Sequence, residues 1–166
     1  MQITIKQAEY QMKRCILGLC AALIGSAASA QEFYAGGSLD YLFPHSGSSE
    51  TVAGVIGGVG LSTRSPFGYG AELEYGLRIA GGSDFDTQRF RVWGDYDLAK
   101  VSLRVAGGYT RYDFGSDDAD GFNLGVGVER DFSQRITARG EFIRDFLDDN
   151  FTDAVTTTRV AVFYNF

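Results

Sequence analysis

Apolar and polar residues alternate with a period of two through most of the chain after residue 30. In "FYAGGSLDYLF", residues 33–43, one set of alternate positions carries Phe33, Leu39 and Tyr41, and the other carries Asp40. Successive side chains of a β-strand point to opposite faces, so this alternation predicts a strand with one apolar and one polar face. Repeated between clusters of Gly, Asp and Ser, the pattern predicts eight strands, near residues 32–43, 52–62, 69–80, 88–98, 101–112, 122–132, 135–146 and 154–166.

The second of these strands, "VAGVIGGVGLS", has the weakest alternation because glycines fall on both faces. We assign its apolar face to Ala53, Val55, Val59 and Leu61. Longer polar segments follow strands one, three, five and seven, and shorter ones follow strands two, four and six. This difference predicts an up-and-down antiparallel sheet with all its long loops at one end. Closing that sheet into a barrel removes both edges.

Charge and aromatic placement indicate which face of the barrel points inward. The polar face carries seven cations, all arginine, and nine anions, many of them in mid-strand. Enclosed charges need well-oriented partners, and the planar guanidinium of Arg provides them. We therefore predict an interior charge network that plugs the barrel, a narrow porin-like channel being the alternative. Its predicted members are Glu72, Glu74, Arg78, Arg89, Arg91, Asp95, Arg104, Glu129, Arg139, Glu141 and Arg159.

Aromatic residues on the apolar face are sorted by height. One group falls near the end with the short turns and another near the end with the long loops, separated mostly by Ala, Val, Leu, Ile and Gly. Two aromatic belts around an aliphatic band are typical of a transmembrane β-barrel. The predicted fold class is thus all-β, a closed eight-stranded antiparallel up-and-down transmembrane β-barrel. A soluble ligand-binding barrel is the alternative, which cell fractionation would test.

The N-terminal segment has the features of a secretory signal peptide. "MKRCILGLCAALIGSAASA", residues 12–30, has a basic start, a short apolar run and small residues at Ala28 and Ala30. The run is too short for a transmembrane helix, and the residue before Cys20 is not the small one typical of lipoproteins. We predict Met12 as the true start and cleavage after Ala30. Residues 1–30 then form the extension and signal peptide, and residues 31–166 the barrel domain.

Composition narrows the classes of function. Residues 31–166 carry 12 basic and 20 acidic residues, a net charge of −8, because the first thirty hold three of the 15 cations and one of the 21 anions. That charge argues against nucleic-acid binding. Both cysteines lie in the predicted signal peptide, so the barrel has no thiol chemistry.

The chain ends in "RVAVFYNF", in which Val162, Tyr164 and Phe166 alternate with other residues. With the dyad strands, the short turns and the signal peptide, this ending resembles the small eight-stranded outer-membrane β-barrel family of Gram-negative bacteria, of the OmpA transmembrane domain, OmpX and opacity-protein type. The resemblance implies a bacterial outer-membrane protein with both termini in the periplasm. It also implies that the three residues form a signal read by the barrel-assembly machinery.

The expected function is non-enzymatic: a monomeric barrel with a structural or surface-interaction role, such as membrane integrity or adhesion. Its expected partners are outer-membrane lipid, lipopolysaccharide, the assembly machinery and an unidentified surface ligand; no cofactor or metal is expected. On the outward face just above the upper aromatic belt, Arg111 and Arg144 are predicted to contact lipopolysaccharide phosphates. The alternative is that both strands have left the membrane there.

Two segments could carry other chemistry. His45, the only histidine, has Ser46, Ser48 and Glu50 nearby, a set that could suggest a lipid A-modifying hydrolase. Neighbours in a Gly/Ser-rich loop rarely hold triad geometry, so we expect a solvated loop. "SDDADG", residues 116–121, lacks the Glu required at position twelve of an EF-hand, so we expect an acidic surface turn. A further hypothesis is that divalent cations bridge three acidic loops to lipopolysaccharide phosphates; their aspartates are Asp84 and Asp86, then Asp117, Asp118 and Asp120, and then Asp148, Asp149 and Asp153.

Overall fold

A computed structural model describes residues 31–44, 48–62, 66–82, 84–115, 117–147 and 154–166. The predicted signal peptide, His45 with Ser46, and the acidic positions Asp148, Asp149 and Asp153 lie outside the described residues. Within the described ranges we find no helical segment with the length and apolarity of a transmembrane helix.

Eight antiparallel strands form a closed barrel in chain order, with β8 paired to β1. The predicted fold class is confirmed. The strands are β1 (Gln31–Phe43), β2 (Glu50–Ser62), β3 (Phe67–Ala80), β4 (Asp86–Asp97), β5 (Ser102–Asp113), β6 (Asp118–Asp131), β7 (Ile136–Leu147) and β8 (Val155–Asn165). We call the end at which β1, β3, β5 and β7 finish, with Phe43, Ala80, Asp113 and Leu147, the loop end, and the end that holds Gln31 and Phe166 the turn end.

The strands are staggered around the barrel. Following paired residues from Phe33 once around all eight strands leads back to β1 at Phe43, ten residues further along. Stagger of this kind accompanies a strand tilt of about 35–45° and a barrel narrow enough for side chains to fill. Each row of paired residues therefore climbs from the turn end toward the loop end.

The side chains of the strands alternate between the two faces of the barrel wall as predicted, and the apolar face points outward. On β2, Val55 is 64% exposed, whereas Val52 and Ile56 point inward and are buried. The assignment made for this ambiguous strand is therefore confirmed, although Val52 and Ile56 make part of its inner face apolar rather than polar.

One predicted turn is instead largely strand. The acidic segment after β5 was expected to form a surface turn through Gly121, but β6 begins at Asp118, which pairs with Asp113. The reason is visible on the inner face, where Ala119 and Tyr112 are both buried. Packing of these apolar groups stabilises the extended strands beyond the end predicted from charge alone.

Candidate functional site

Five arginines and six carboxylates fill the middle of the barrel. All project from the inner faces of strands, and every one of the arginines is buried. We call this set the interior network: Asp40 of β1, Glu72 and Glu74 of β3, Arg89 and Arg91 of β4, Arg104 of β5, Glu129 of β6, Arg139, Glu141 and Asp145 of β7, and Arg159 of β8.

The part of the network nearest the loop end contains two fork-like ion pairs. Arg159 donates from Nε and an Nη atom to the two oxygens of Asp40, at 2.8 and 2.6 Å, and also contacts Glu74 at 2.8 Å. Arg89 likewise donates from Nε and an Nη atom to the two oxygens of Asp145, at 3.3 and 2.8 Å. Asp145 also accepts hydrogen bonds from Thr110 (2.9 Å) and the Tyr112 hydroxyl (2.8 Å), so its charge is well compensated.

Arg91 lies at the centre and has no exposed surface. Its two Nη atoms donate to Glu141 at 2.5 and 3.0 Å, and one of them also lies 3.2 Å from Glu74 and 3.4 Å from Glu72. Its Nε donates to Asn123 at 3.0 Å. A single guanidinium thus holds three carboxylates together, which the point charge of a Lys could not do with the same geometry.

The part nearest the turn end is organised around Glu72 and Glu129. Glu72 accepts from Arg104 (2.7 Å), Arg139 (3.0 Å) and the Tyr34 hydroxyl (2.8 Å). Both arginines also reach Glu129, at 3.1 and 2.5 Å. Aromatic faces complete this layer, since the guanidinium carbon of Arg104 lies 4.2 Å from the ring centre of Trp93, and that of Arg139 lies 4.3 Å from that of Phe163.

Two residues predicted to join the network lie elsewhere. The guanidinium of Arg78 is at the loop end, where it donates to the carbonyl of Gly81 and pairs at 3.3 Å with the exposed Asp84. Asp95 lies toward the turn end and accepts a hydrogen bond from the backbone NH of Gly68. Both have the predicted strand parity. Their height along the barrel, which alternation does not encode, keeps them out of the central cluster.

Several uncharged partners of the network were not predicted: Tyr34, Thr110, Tyr112 and Asn123. Tyr34 donates to Glu72, and both Thr110 and Tyr112 donate to Asp145. Asn123 accepts from Arg91 and donates to Thr110. Their position on the inner face is the only signal that the sequence contains. It does not indicate which charge each would meet.

Between the network and the loop end lies a buried apolar cluster, which we call the apolar cap. It consists of Leu42, Val52, Phe85, Tyr112, Ala119 and Val155, with Leu147 packed against it. The members come from five strands and the segment before β4, so the cluster extends across the lumen. The signal that could have revealed it is a set of apolar residues with inward parity at the loop ends of β1, β2, β5, β6 and β8.

Toward the turn end the interior is hollow. A cavity of about 950 Å³ is lined by Tyr34, Trp93, Asp95, Arg104 and other residues, including several of the turns. The buried Nε1 of Trp93 and Nε of Arg104 have no hydrogen-bond partner among the described residues. A polar cavity of this size holds water. The side chains of the apolar cap thus pack together near the loop end, whereas the interior is hollow near the turn end.

The outer surface is apolar and carries two belts of exposed aromatic rings. The belt at the turn end contains Phe33, Phe67, Tyr69, Tyr96, Phe132, Tyr164 and Phe166; the belt at the loop end contains Tyr41, Phe43, Tyr75, Phe90, Tyr109, Phe122 and Phe146. Val162, Tyr164 and Phe166 are all exposed on the outside, and the NH of Phe166 donates to the carbonyl of Phe33.

Of the two outward arginines, Arg111 lies where it was predicted, just beyond the loop-end belt, whereas Arg144 does not. Arg111 follows Tyr109 toward the loop end and pairs with Asp118. Arg144 lies between Phe142 and Phe146 on β7, so it falls within the loop-end belt rather than above it. Its guanidinium donates to the hydroxyl of Thr156 on β8.

Within the described parts of the chain there is no group of three or more His, Cys, Asp or Glu side chains arranged to hold a metal ion. The predicted hydrolase alternative depends on His45, which the structure does not describe.

Comparison with known proteins gives a result in fold alone. No family model matches the chain, and no curated protein sequence matches it. Among solved structures, the N-terminal β-barrel domain of Pseudomonas aeruginosa OprF aligns with a TM-score of 0.58 at 10% identity, covering 80% of this chain and 97% of that one. The chain has the fold of the small eight-stranded outer-membrane β-barrels.

Two further structures share this fold. Neisserial surface protein A aligns with a TM-score of 0.55 at 13% identity, covering 85% of this chain and all of that one. The Yersinia pestis outer membrane protein Ail, in a phospholipid bilayer nanodisc, aligns with a TM-score of 0.52 at 14% identity, covering 82% of this chain and all of that one. Each is about as long as the barrel described here.

Proposed function

We propose that this protein is a monomeric integral barrel of a bacterial outer membrane, without enzymatic activity. The observation that carries the proposal is the inversion of burial. Arg91, Arg104 and Arg159 are at most 2% exposed inside the barrel, while Val, Leu and Phe side chains cover its outside. Exposing that outer surface to water would cost much free energy, whereas lipid chains would surround it without this cost.

The two aromatic belts support a membrane-spanning position. Amphipathic rings favour the two interfaces of a bilayer, and aliphatic residues favour the region between them. The belts also set the orientation that we propose: the termini and short turns lie on the periplasmic side and the loop end faces outward. In this orientation Val162, Tyr164 and Phe166 lie at the periplasmic interface, where the assembly machinery would read them.

We further propose that the interior network and the apolar cap plug the barrel, so that its role is structural or surface-interactive rather than conductive. Ion pairs link β1 with strands β3 to β8, and the cap extends across the lumen beyond them. A solute entering the hollow at the turn end would meet these two layers. Membrane integrity and contact with other surfaces through the loop end are the roles compatible with such a plug.

Two measurements test the proposal. The barrel should be recovered in the outer-membrane fraction and should migrate differently on gels before and after boiling, as a barrel resistant to detergent does. In planar bilayers it should give no steady conductance of porin size. Recovery in the soluble fraction would refute the membrane assignment, and steady conductance would refute the plug.

The enzymatic alternative has its own test. Mass spectrometry of lipid A from cells with and without the protein should give the same species if the barrel is not an enzyme. A new lipid A species that disappears with His45→Ala would replace our proposal by hydrolysis.

A further inference from the structure

Arg144 is a cation placed on an apolar surface. Along the outer face of β7 it is flanked by Phe142 and Phe146, and its neighbour on β6 is Leu124. Its side chain is exposed, and none of the described carboxylates pairs with it; the one hydrogen bond found goes to the hydroxyl of Thr156. On the outside of a membrane barrel an unpaired charge is unfavourable, and increasingly so with depth.

Arg111 provides a natural comparison. It also points outward near the loop end, but its guanidinium pairs with Asp118 on the next strand. Asp120, the residue of β6 that pairs with Arg111, provides a second carboxylate. This carboxylate accepts a hydrogen bond from the Tyr109 hydroxyl at 3.0 Å. The charge of Arg111 is therefore compensated by Asp118, whereas no carboxylate among the described residues compensates that of Arg144.

Residues with hydroxyl groups lie on the strands β8 and β1 beside Arg144. Thr156, its partner on β8, and Thr158, the next outward residue of that strand, interrupt an otherwise apolar face. Tyr41 of β1 pairs with Thr158, and its exposed ring packs edge-on against Phe43 at 4.6 Å between centroids. The register thus places one guanidinium and three hydroxyl-bearing residues close together on the outer face of β7, β8 and β1, within the aromatic belt.

The chemistry of this group of residues points to one kind of ligand. Guanidinium groups bind phosphate through two parallel hydrogen bonds, and Thr and Tyr hydroxyls can donate to its remaining oxygens. In the orientation proposed above, the loop-end belt lies at the outer interface, where the phosphates of outer-leaflet lipids lie. The flanking rings of Phe142 and Phe146 would contact the apolar part of the same lipid.

We propose that Arg144, Thr156, Thr158 and Tyr41 form a binding site for the phosphate group of an outer-leaflet lipid, and that Arg111 takes no part in it. This inference rests on the proposed membrane function. It adds to that function a ligand class and a position on the β7–β8–β1 side of the barrel.

Native mass spectrometry of the barrel, refolded in neutral detergent and titrated with diphosphoryl lipid A or phosphatidylcholine, tests the site. Wild type should retain lipid A in preference to phosphatidylcholine. Arg144→Gln should weaken lipid A retention by about tenfold or more, the effect expected from losing charge-assisted hydrogen bonds. Arg111→Gln, the matched control, should retain lipid A as wild type does. An unchanged Arg144→Gln, or an equal loss in Arg111→Gln, would overturn the site.

Two further experiments distinguish a lipid site from a site for free phosphate, and failure of the site from failure of the proposed membrane function. Competition with inorganic phosphate at a concentration equal to lipid A should leave lipid A bound, because free phosphate lacks the apolar contacts; complete displacement would overturn a lipid site. Insertion of wild type into phosphatidylcholine vesicles is measured first by heat-modifiable gel mobility. Lack of insertion overturns the membrane function itself, whereas insertion with equal lipid A retention by Arg144→Gln overturns the site alone.

Discussion

Arg159 of β8 grips both carboxylate oxygens of Asp40 of β1, at 2.8 and 2.6 Å, across the strand pair that closes the barrel. The two residues are 119 positions apart in sequence. They meet only when the last strand has found the first, so this buried pair is a direct product of barrel closure.

Replacing Arg159 by Met should destabilise the barrel strongly. The change leaves Asp40 and Glu74 buried without their closest cation, and removing one partner of a buried pair typically costs about 3–5 kcal/mol. Urea unfolding of the barrel refolded in lipid vesicles would measure the free energy of unfolding. Arg78→Met is the matched control: its partner Asp84 is fully exposed, so the loss should stay below about 1 kcal/mol. Similar unfolding of both variants would contradict the role given to the closing pair.

Arg91 should tolerate neither Met nor Lys. Met leaves Glu141, Glu74 and Glu72 without their shared cation, and Lys keeps the charge but loses the fork that holds Glu141 and Asn123 together. We expect Arg91→Lys to unfold at lower urea than wild type, and Arg91→Met at lower urea still. Adding Glu141→Gln to Arg91→Met should restore part of the stability, because one uncompensated carboxylate disappears. If Glu141→Gln lowers stability equally in both backgrounds, the two residues are not coupled.

Gly70 and Gly140 should respond in opposite ways to Ala. A Cβ on Gly70 would clash with the carbonyl of Val59 and with the indole of Trp93, which lies against this part of the wall. A Cβ on Gly140, on the outer face, would meet no atom within 4 Å. Gly70→Ala should therefore lower the free energy of unfolding by about 1–3 kcal/mol, while Gly140→Ala should be neutral or stabilise by up to about 1 kcal/mol. Tryptophan fluorescence during unfolding measures both, and a stable Gly70→Ala would show that the indole can move away.

Deleting Phe166 should affect assembly more than stability. Its side chain is 81% exposed, so it contributes little packing, although its NH donates to the carbonyl of Phe33. We expect the truncated chain to insert poorly in cells, yet to unfold near the wild-type urea concentration once refolded in vitro. Phe166→Tyr, which keeps an aromatic ring at the end, is the control and should insert normally. Equal losses in cells and in vitro would mean that the residue is structural rather than part of an assembly signal.

The sequence predicts facing well because facing depends only on local alternation. Leu39 and Tyr41 lie outside, and Asp40 lies inside, as a period of two requires. Even β2 has the predicted orientation, although glycines obscure its pattern.

Which inward residues meet depends on register, and alternation carries no information about register. Once the pairing is known, Asp40 faces Arg159, Glu72 faces Arg91 and Glu129 faces Arg139 as direct cross-strand neighbours. Arg78 shows the limit of parity: it points inward as predicted but lies too near the loop end to join the network. Inward parity marks Leu42, Val52 and Tyr112 as interior residues, but alternation does not show that they pack together in one cap.

The hollow at the turn end makes the two ends of the barrel different in their access to the interior. Trp93, the single tryptophan, lines that hollow, and the interior network and apolar cap stand between it and the opposite mouth. A water-soluble quencher such as iodide would therefore reach the indole of Trp93 through the turn end, where the termini lie. In a vesicle whose barrels all point the same way, iodide on one side of the bilayer would dim the fluorescence and iodide on the other would leave it bright. In the plugged barrel that we propose, Trp93 would thus be an optical marker of the sidedness of the native protein.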